Sequence, residues 1–278
     1  MFFNMVRYDI VNGLVKNCRK YIFAIALILV ICVDFYIRSH NMMVYMQAAG
    51  EERTYGDLLF YIFGGMEEYI MDPGNQFHYP ELWILVTLFI SYRVLYYPYN
   101  DLMGFGKQIL VYSGSRTSWW FAKCCWCVIG TVFYFALFWG VGFIFCFLTK
   151  VNISLEISDY LYQYNGIFMA EGLPHRIDIQ LFLFPLLVMT AMNLAQLFLS
   201  LLLGPLYSFA VTVTVFVASC YYMNPLLIGN YAMARRSGIL IEGGMSASQG
   251  VGLTALISLT AVAGGLIVFR HYDILNKE

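Results

Sequence analysis

The stretch Ile179–Leu203, IQLFLFPLLVMTAMNLAQLFLSLLL, is almost entirely apolar and contains no charged residue. A helix needs about 20 apolar residues to cross the hydrocarbon core of a bilayer, so this stretch predicts a membrane-spanning helix. It ends at Gly204-Pro205, and a second apolar run follows at once. Because proline disfavours helical backbone in the residue before it, we expect two separate helices joined by a tight turn at a membrane face.

The rest of the chain follows the same pattern. It has 278 residues, of which 60% are hydrophobic and 12% charged, whereas soluble domains carry about 25% charged residues. We therefore predict an all-α integral membrane protein, with residues 1–278 forming a single transmembrane domain. Six segments have the length and composition of spans: 21–37, 80–97, 121–149, 179–203, 206–223 and 251–269.

The distribution of charge predicts the orientation of the chain. Six spans place both termini on one side, and the segments on that side carry ten of the sixteen basic residues but four of the seventeen acidic residues. Basic residues concentrate in cytoplasmic segments, so both termini are predicted to be cytoplasmic, in a multi-pass protein of the bacterial plasma membrane. The net charge of −1 gives no indication of nucleic-acid binding.

Residues 1–19 precede the first span and contain Phe3, Val6, Ile10 and Leu14 at helical spacing. This period predicts an amphipathic helix lying along the inner leaflet. The alternative is a basic juxtamembrane tail without fixed structure. The run from Tyr21 lacks a small-residue cleavage site, which indicates a retained first span rather than a signal peptide.

Two predicted outer segments contain apolar residues of their own. Residues 38–79 are acidic but include Leu58–Phe63, which predicts short helices packed on the outer mouth of the bundle. Residues 224–250 are half apolar and rich in glycine, and they include the basic pair Arg235-Arg236. They are predicted to form re-entrant helices before the last span, an arrangement that requires burial in protein or contact with water.

Polar groups inside the spans admit two interpretations. Asn193, Gln196 and Ser200 share one helical face and either line a substrate pathway or join helices by hydrogen bonds. Arg93 lies one turn inside the second span, where it is predicted to extend to the inner surface. The cysteines at 124–127 point to different helical faces, which favours packing over a metal site. No catalytic constellation is evident in the spans.

The predicted cytoplasmic connection Pro98–Trp120 is longer than a simple linker requires. Glycines break it into short pieces with an apolar side, while Trp119 and Trp120 are predicted to anchor the next span at the interface and Arg116 and Lys123 to flank the membrane surface. The alternative is a loop lying on the membrane with no partner. Its apolar side, which that alternative leaves unexplained, comprises Leu102, Met103, Phe105, Ile109 and Leu110.

The chain resembles the permease subunits of the ABC-2 type transporter family, which are six-span exporters. The likeness is carried by the connection Asp101–Lys123 with its GSRTSWW motif, by the passage from Asn224 that begins NPLLIGNY and continues through Arg235 to Gly243-Gly244, and by the tail FRHYDIL at 269–275. Within this family, the chain resembles the Firmicutes branch often found beside genes for bacteriocin export, lantibiotic immunity or antimicrobial-peptide resistance.

The resemblance implies a cytoplasmic coupling helix within residues 100–111 that sits in a groove of a separate ATPase. The chain itself has no G-x-x-x-x-G-K-[ST] phosphate loop and binds no cofactor of its own under this hypothesis, so ATP and Mg²⁺ would be used by that partner. Two ATPase copies and a second permease subunit, identical or related, are implied. The implied ATPase-coupling residues are Asp101, Leu102, Met103, Phe105, Lys107, Ile109 and Leu110.

Two other functions remain open from the sequence. A sensor or immunity protein could bind a peptide at the acidic outer loops without transport. A membrane-embedded enzyme would need a His/Asp/Ser or paired-carboxylate arrangement within the spans, for which the chain offers little. We expect a permease rather than an enzyme.

Overall fold

The computed structural model describes residues 2–16, 18–47, 52–71, 76–113, 115–161 and 176–271. Within these ranges the regular secondary structure is helical, and β-type pairing is limited to isolated bridges. Gly114 and residues 272–275, which belong to the passages quoted above, lie outside the described residues. The α-helices are α1 (Phe2–Ile10), α2 (Cys18–Tyr45), α3 (Tyr55–Phe63), α4 (Glu81–Val94), α5 (Tyr97–Met103), α6 (Phe105–Ser113), α7 (Arg116–Leu148), α8 (Ile179–Leu203), α9 (Pro205–Tyr221) and α10 (Ala247–His271).

Five helical segments in the described ranges are long and apolar enough to cross a membrane, which confirms the prediction of a multi-pass helical membrane protein. They are Cys18–Tyr45, Glu81–Met103, Arg116–Leu148, Ile179–Leu203 and Ala247–His271. The second combines α4 and α5, which follow one another with a bend at Leu95-Tyr96. The helix α9 is apolar but has only 17 residues, so it is shorter than the other five.

The helix α8 lies at the centre of the bundle, because it packs against α4, α7, α9 and α10. Half of its apolar window is buried inside the protein, whereas 17% of the corresponding window of α10 is buried. The apolar surface of α10 therefore faces outward, as expected of a helix in contact with lipid.

The turn between α8 and α9 depends on a glycine. Gly204 has φ 87° and ψ 165°, a region of backbone space that is essentially restricted to glycine. A side chain at Gly204 would point into open space, so backbone strain alone determines how much stability a substitution costs.

We expect Gly204→Ala to lower the free energy of unfolding by about 1–3 kcal/mol. Thermal unfolding of the purified protein in detergent measures this. Gly252→Ala is the matched control, since Gly252 also faces open space but lies within α10 without a positive φ. A variant at Gly204 that melts like the Gly252 variant would contradict the assigned turn.

The predicted outer segment 52–71 packs into the bundle, as the apolar run in it predicts. The short helix α3 is almost wholly buried and begins with a reciprocal cap between Thr54 and Asp57. The Asp57 carboxylate also accepts hydrogen bonds from the Ser158 backbone N–H (2.7 Å) and hydroxyl (2.7 Å). This carboxylate therefore fastens the start of α3 to the segment that follows α7.

The segment between α9 and α10 forms two short 3₁₀ turns, Ile228–Ala232 and Ala234–Arg236, in place of the predicted re-entrant helices. Most of its residues between Ile228 and Arg236 are buried against the bundle. Backbone hydrogen bonds within its short turns hold this segment, and its Arg236 side chain donates to the carbonyls of Met66 and Cys220 in neighbouring segments.

Candidate functional site

Two carboxylates and a lysine form a buried cluster, which we call the charge cluster and which consists of Asp9, Asp101 and Lys123. The Lys123 ammonium contacts Asp9 Oδ1 and lies 2.6 Å from Asp101 Oδ2. The exposed fractions of the Lys123, Asp9 and Asp101 side chains are 1%, 2% and 6%. The cluster therefore joins three elements, α1, α5 and α7, at the end of the bundle that the charge pattern predicts to be cytoplasmic.

Two tyrosines complete the hydrogen bonding of the charge cluster. The Tyr97 hydroxyl donates to Asp9 Oδ1 (3.0 Å), and the Tyr8 hydroxyl donates to Asp101 Oδ1 (3.3 Å). Burial raises the pKa of the Asp9 carboxyl, although the neighbouring Lys123 opposes the rise. Burial and the nearby Asp101 carboxylate raise the pKa of Tyr8 to about 12, so Tyr8 remains a donor at neutral pH.

The N-terminal helix packs on a face that is shifted from the one its apolar spacing predicts, since Val6, Ile10 and Leu14 contact the core but Phe3 does not. The helix itself is present over Phe2–Ile10 and continues as a π-helical turn over Val11–Val15. However, Met5 and Asp9 are its buried residues, while Phe3 is 82% exposed. The ion pair with Lys123 determines which face turns inward, and this attraction is not visible in the apolar pattern.

The predicted coupling segment forms a broken pair of short helices, α5 and α6, which we call the elbow. The break falls at Gly104. A Cβ on Gly106 would overlap the Asp101 carboxylate, so α6 approaches the charge cluster closely only because this residue is glycine. The ion pair of Asp101 with Lys123 thus holds α5 in place and, through the close contact between Asp101 and Gly106, also holds the start of α6.

The predicted coupling residues divide into a buried and an outward set. Leu102 and Leu110 are each 3% exposed and face the bundle, and Asp101 belongs to the charge cluster. Ile109 and Lys107 are partly buried. The outward set includes Met103 (40% exposed) and Phe105 (59%), and it continues into Val111 (71%) and Tyr112 (98%), which lie at or beyond the end of the predicted segment.

Three of the four predicted membrane-edge anchors, Trp119, Trp120 and Arg116, contact α10. The Trp119 ring stacks on Phe269 with a centroid distance of 4.6 Å, and Trp120 Nε1 donates to the Val262 carbonyl (2.9 Å). Both indoles are buried. Arg116 donates to the Arg270 carbonyl (2.7 Å) near the end of α10, and Lys123 belongs to the charge cluster.

Two of the three candidate pathway residues, Asn193 and Gln196, take part in contacts between helices. Asn193 Nδ2 donates to Thr131 Oγ1 (2.9 Å) and Asn193 Oδ1 accepts from Ser91 Oγ (3.3 Å), while Gln196 Nε2 donates to the Ser91 carbonyl (3.0 Å). Asn193 and Gln196 are fully buried between α4, α7 and α8. Ser200 donates to a carbonyl of its own helix. A role for any of them in a substrate pathway stays a prediction.

Other charged side chains near the ends of spans make specific contacts. Asp34 and Arg38 form an ion pair at the predicted outer end of α2, with Arg38 Nε 3.0 Å from Asp34 Oδ1. The prediction that Arg93 extends to the surface is wrong, because its side chain is 5% exposed and its guanidinium lies 4.9 Å over the Trp126 ring.

Sequence reasoning missed Asp9, Tyr8 and Tyr97 as members of the charge cluster. A usable signal was present. Lys123 lies among apolar residues at the start of the predicted span 121–149, where a cation is costly unless paired, and few acidic residues are available on the same side.

Comparison of the chain with known protein families, with curated proteins and with solved structures gives no match.

Proposed function

We propose that this chain is the permease subunit of an ATP-binding cassette transporter, with six spans and both termini in the cytoplasm of a bacterial cell. A separate ATPase binds the elbow and drives export of, or resistance to, a peptide or another amphipathic substrate. Two ATPase copies and a second permease subunit complete the assembly.

The observation that carries the proposal is the outward face of the elbow. Phe105, Val111 and Tyr112 are 59%, 71% and 98% exposed, on a segment predicted to lie in the cytoplasm. Beside them, α1 and α6 border an open cleft of about 670 Å³ that is lined mainly by apolar and aromatic side chains. Aromatic side chains beside a cleft are typical of the central part of a protein interface.

The charge cluster supports the same proposal because it connects the elbow to two other helices. Asp101 ties the elbow to Lys123 of α7 and, through it, to Asp9 of α1. A displacement of the elbow by a partner would therefore move the inner ends of α1 and α7 as well. ATP would drive transport if it stabilised one arrangement of these helices over another.

The energy source must be supplied by another chain under this proposal. The sequence contains no phosphate loop, since Gly104-Phe105-Gly106-Lys107 has neither the spacing nor the following hydroxyl residue of one. An ATPase that binds the elbow would provide the ATP hydrolysis.

Purification of the tagged chain from native membranes tests the proposal. We expect an ATPase with a phosphate loop to co-purify and to hydrolyse ATP. The double variant Val111→Ser/Tyr112→Ser should lower its recovery about tenfold or more, because two exposed apolar contacts of an interface are lost. The matched control is Leu226→Ser, at a residue that is 79% exposed near the predicted outer end.

An ATPase recovered equally with both variants would refute the assigned docking face. A complex that lacks any ATPase but retains a peptide bound at the outer loops would support the sensor or immunity function instead.

A further inference from the structure

A second feature at the predicted cytoplasmic end is a pocket of about 270 Å³ between α2, α4 and α7. Three cationic side chains line it, namely Arg19 and Lys20 at the start of α2 and Arg93 near the end of α4. The residues that line the pocket include no carboxylate. None of the three cations forms an ion pair with a described residue, so the pocket gathers positive charge.

The Arg93 guanidinium is held in place but incompletely bonded. Nη2 donates to the Cys127 carbonyl (3.2 Å) and the Tyr21 hydroxyl lies beside the guanidinium, but Nε and Nη1 make no hydrogen bond of standard geometry with a described residue. A Cβ on Gly130 would overlap the guanidinium, so α7 leaves room for the group. A buried cation with free donors is costly unless an anion completes its bonding.

The Tyr134 hydroxyl adds a further donor to the pocket. It also lines the cavity, is buried, and has no hydrogen-bond partner among the described residues. Unsatisfied arginine and tyrosine donors among the residues that line one cavity suit a group with several oxygens and negative charge. A phosphate fits this description, because a guanidinium donates to two phosphate oxygens at once.

The surroundings indicate that the phosphate belongs to a lipid. Phe23 and Phe89 stack at 5.5 Å on the wall of the pocket, and Phe23 is 60% exposed on a spanning helix. The occupant would thus place its charge beside the cations and its apolar part along the phenylalanines. Basic pockets between spanning helices on the cytoplasmic side are suited to anionic head groups.

We propose that the pocket formed by Arg19, Lys20, Arg93 and Tyr134 binds the phosphate head group of an anionic phospholipid in the leaflet at the predicted cytoplasmic end. This inference does not depend on the proposed transport function. It assigns a fixed lipid to the junction of α2, α4 and α7, where the lipid would neutralise the cluster of cations.

The test uses the purified full chain in nanodiscs of phosphatidylcholine, into which phosphatidylglycerol is titrated. Native mass spectrometry and thermal unfolding measure binding. We expect phosphatidylglycerol to bind and to raise the unfolding temperature above that in phosphatidylcholine alone. Lys20→Gln and Arg93→Gln should each weaken lipid binding about tenfold or more, as expected when a charge-assisted hydrogen bond is lost.

Arg7→Gln is the matched control, since Arg7 is an exposed cation at the same end but does not line the pocket. It should leave lipid binding unchanged. If Arg93→Gln fails to fold, Lys20→Gln decides the result, because Lys20 is only half-buried.

Three outcomes would overturn the proposal. The first is equal stabilisation by phosphatidylcholine and phosphatidylglycerol. The second is an equal loss in the Arg7 variant, which would indicate nonspecific surface attraction. The third is equal stabilisation by inorganic phosphate, which would assign the pocket to a soluble phosphate compound rather than to a lipid.

Discussion

Replacing Lys123 with methionine is expected to lower the free energy of unfolding by about 3–5 kcal/mol, because the change leaves two buried carboxylates without their cation. Asp9 and Asp101 are both almost inaccessible and both bond to the lysine. Methionine fills a similar volume, so the loss reports on charge more than on packing. Thermal or denaturant unfolding in detergent measures it, and proteolysis near residue 10 should increase as α1 separates from α7.

The pH dependence of the Lys123→Met variant gives an independent readout. Burial already raises the pKa of Asp9 in the native protein, and loss of Lys123 removes the main influence that lowers it. The folded variant therefore binds protons more tightly than the unfolded chain does. The free energy of unfolding of the variant should rise as the pH falls toward the pKa range of carboxyl groups, and it should decrease as the pH rises. The stability lost relative to the native protein should therefore be larger at pH 8 than at pH 5.

Two further variants distinguish a specific ion pair from a general loss of charge. Lys107→Met, in α6, removes a partly buried lysine for which no ion pair with a described residue is found, and it should change stability by less than about 0.5 kcal/mol. Adding Asp9→Asn and Asp101→Asn to Lys123→Met should restore more than half of the lost stability, because the buried anions are removed as well. A triple variant less stable than the single one would contradict the assigned cluster.

The spans could be predicted from the sequence because the requirement for crossing a bilayer is local to each segment. A helix in a bilayer satisfies its own backbone groups, so length and apolar composition determine which segments can cross. The boundary at Gly204 was predictable for the same reason, since it depends on one glycine and one proline. The 17-residue α9 falls below the length of the other spans, and composition alone did not separate it from them.

Side-chain partners could not be predicted in the same way, because they depend on which helices meet. Lys123 and Asp9 are separated by 114 positions in the sequence. Trp119 and Trp120 have the composition expected of an interfacial belt, yet their rings pack on Phe269 and Val262 of another helix. A tryptophan near a span end looks the same in sequence whether it faces lipid or a neighbouring helix, so the structure is needed to tell the two apart.

The second large effect is expected at the other end of the bundle, where Arg236 is 1% exposed. Its guanidinium donates to the carbonyls of Met66 (3.0 Å), Glu67 (2.9 Å) and Cys220 (2.7 Å). It also contacts the Ser219 carbonyl and Asn230 Oδ1. This one side chain therefore holds the end of α9, the segment after α3 and the first 3₁₀ turn together.

We expect Arg236→Lys to lower the free energy of unfolding by about 3–4 kcal/mol, although it retains the charge. The carbonyls of Ser219 and Cys220 belong to the last turn of α9, where no helical N–H remains to satisfy them. A lysine ammonium has three donors on a flexible stem and cannot reach all five acceptors in the planar arrangement of a guanidinium. Several buried oxygens would then lack partners, and each such loss is costly.

Arg38→Lys is the matched control at the same end of the bundle. Arg38 is 62% exposed and pairs with Asp34 one helical turn away, so the change should cost less than about 0.5 kcal/mol. Unfolding in detergent compares the two variants, and proteolysis between residues 64 and 71 should increase only in the Arg236 variant. Equal stability of the two lysine variants would mean that the donors of Arg236 are replaceable and that other contacts hold these segments together.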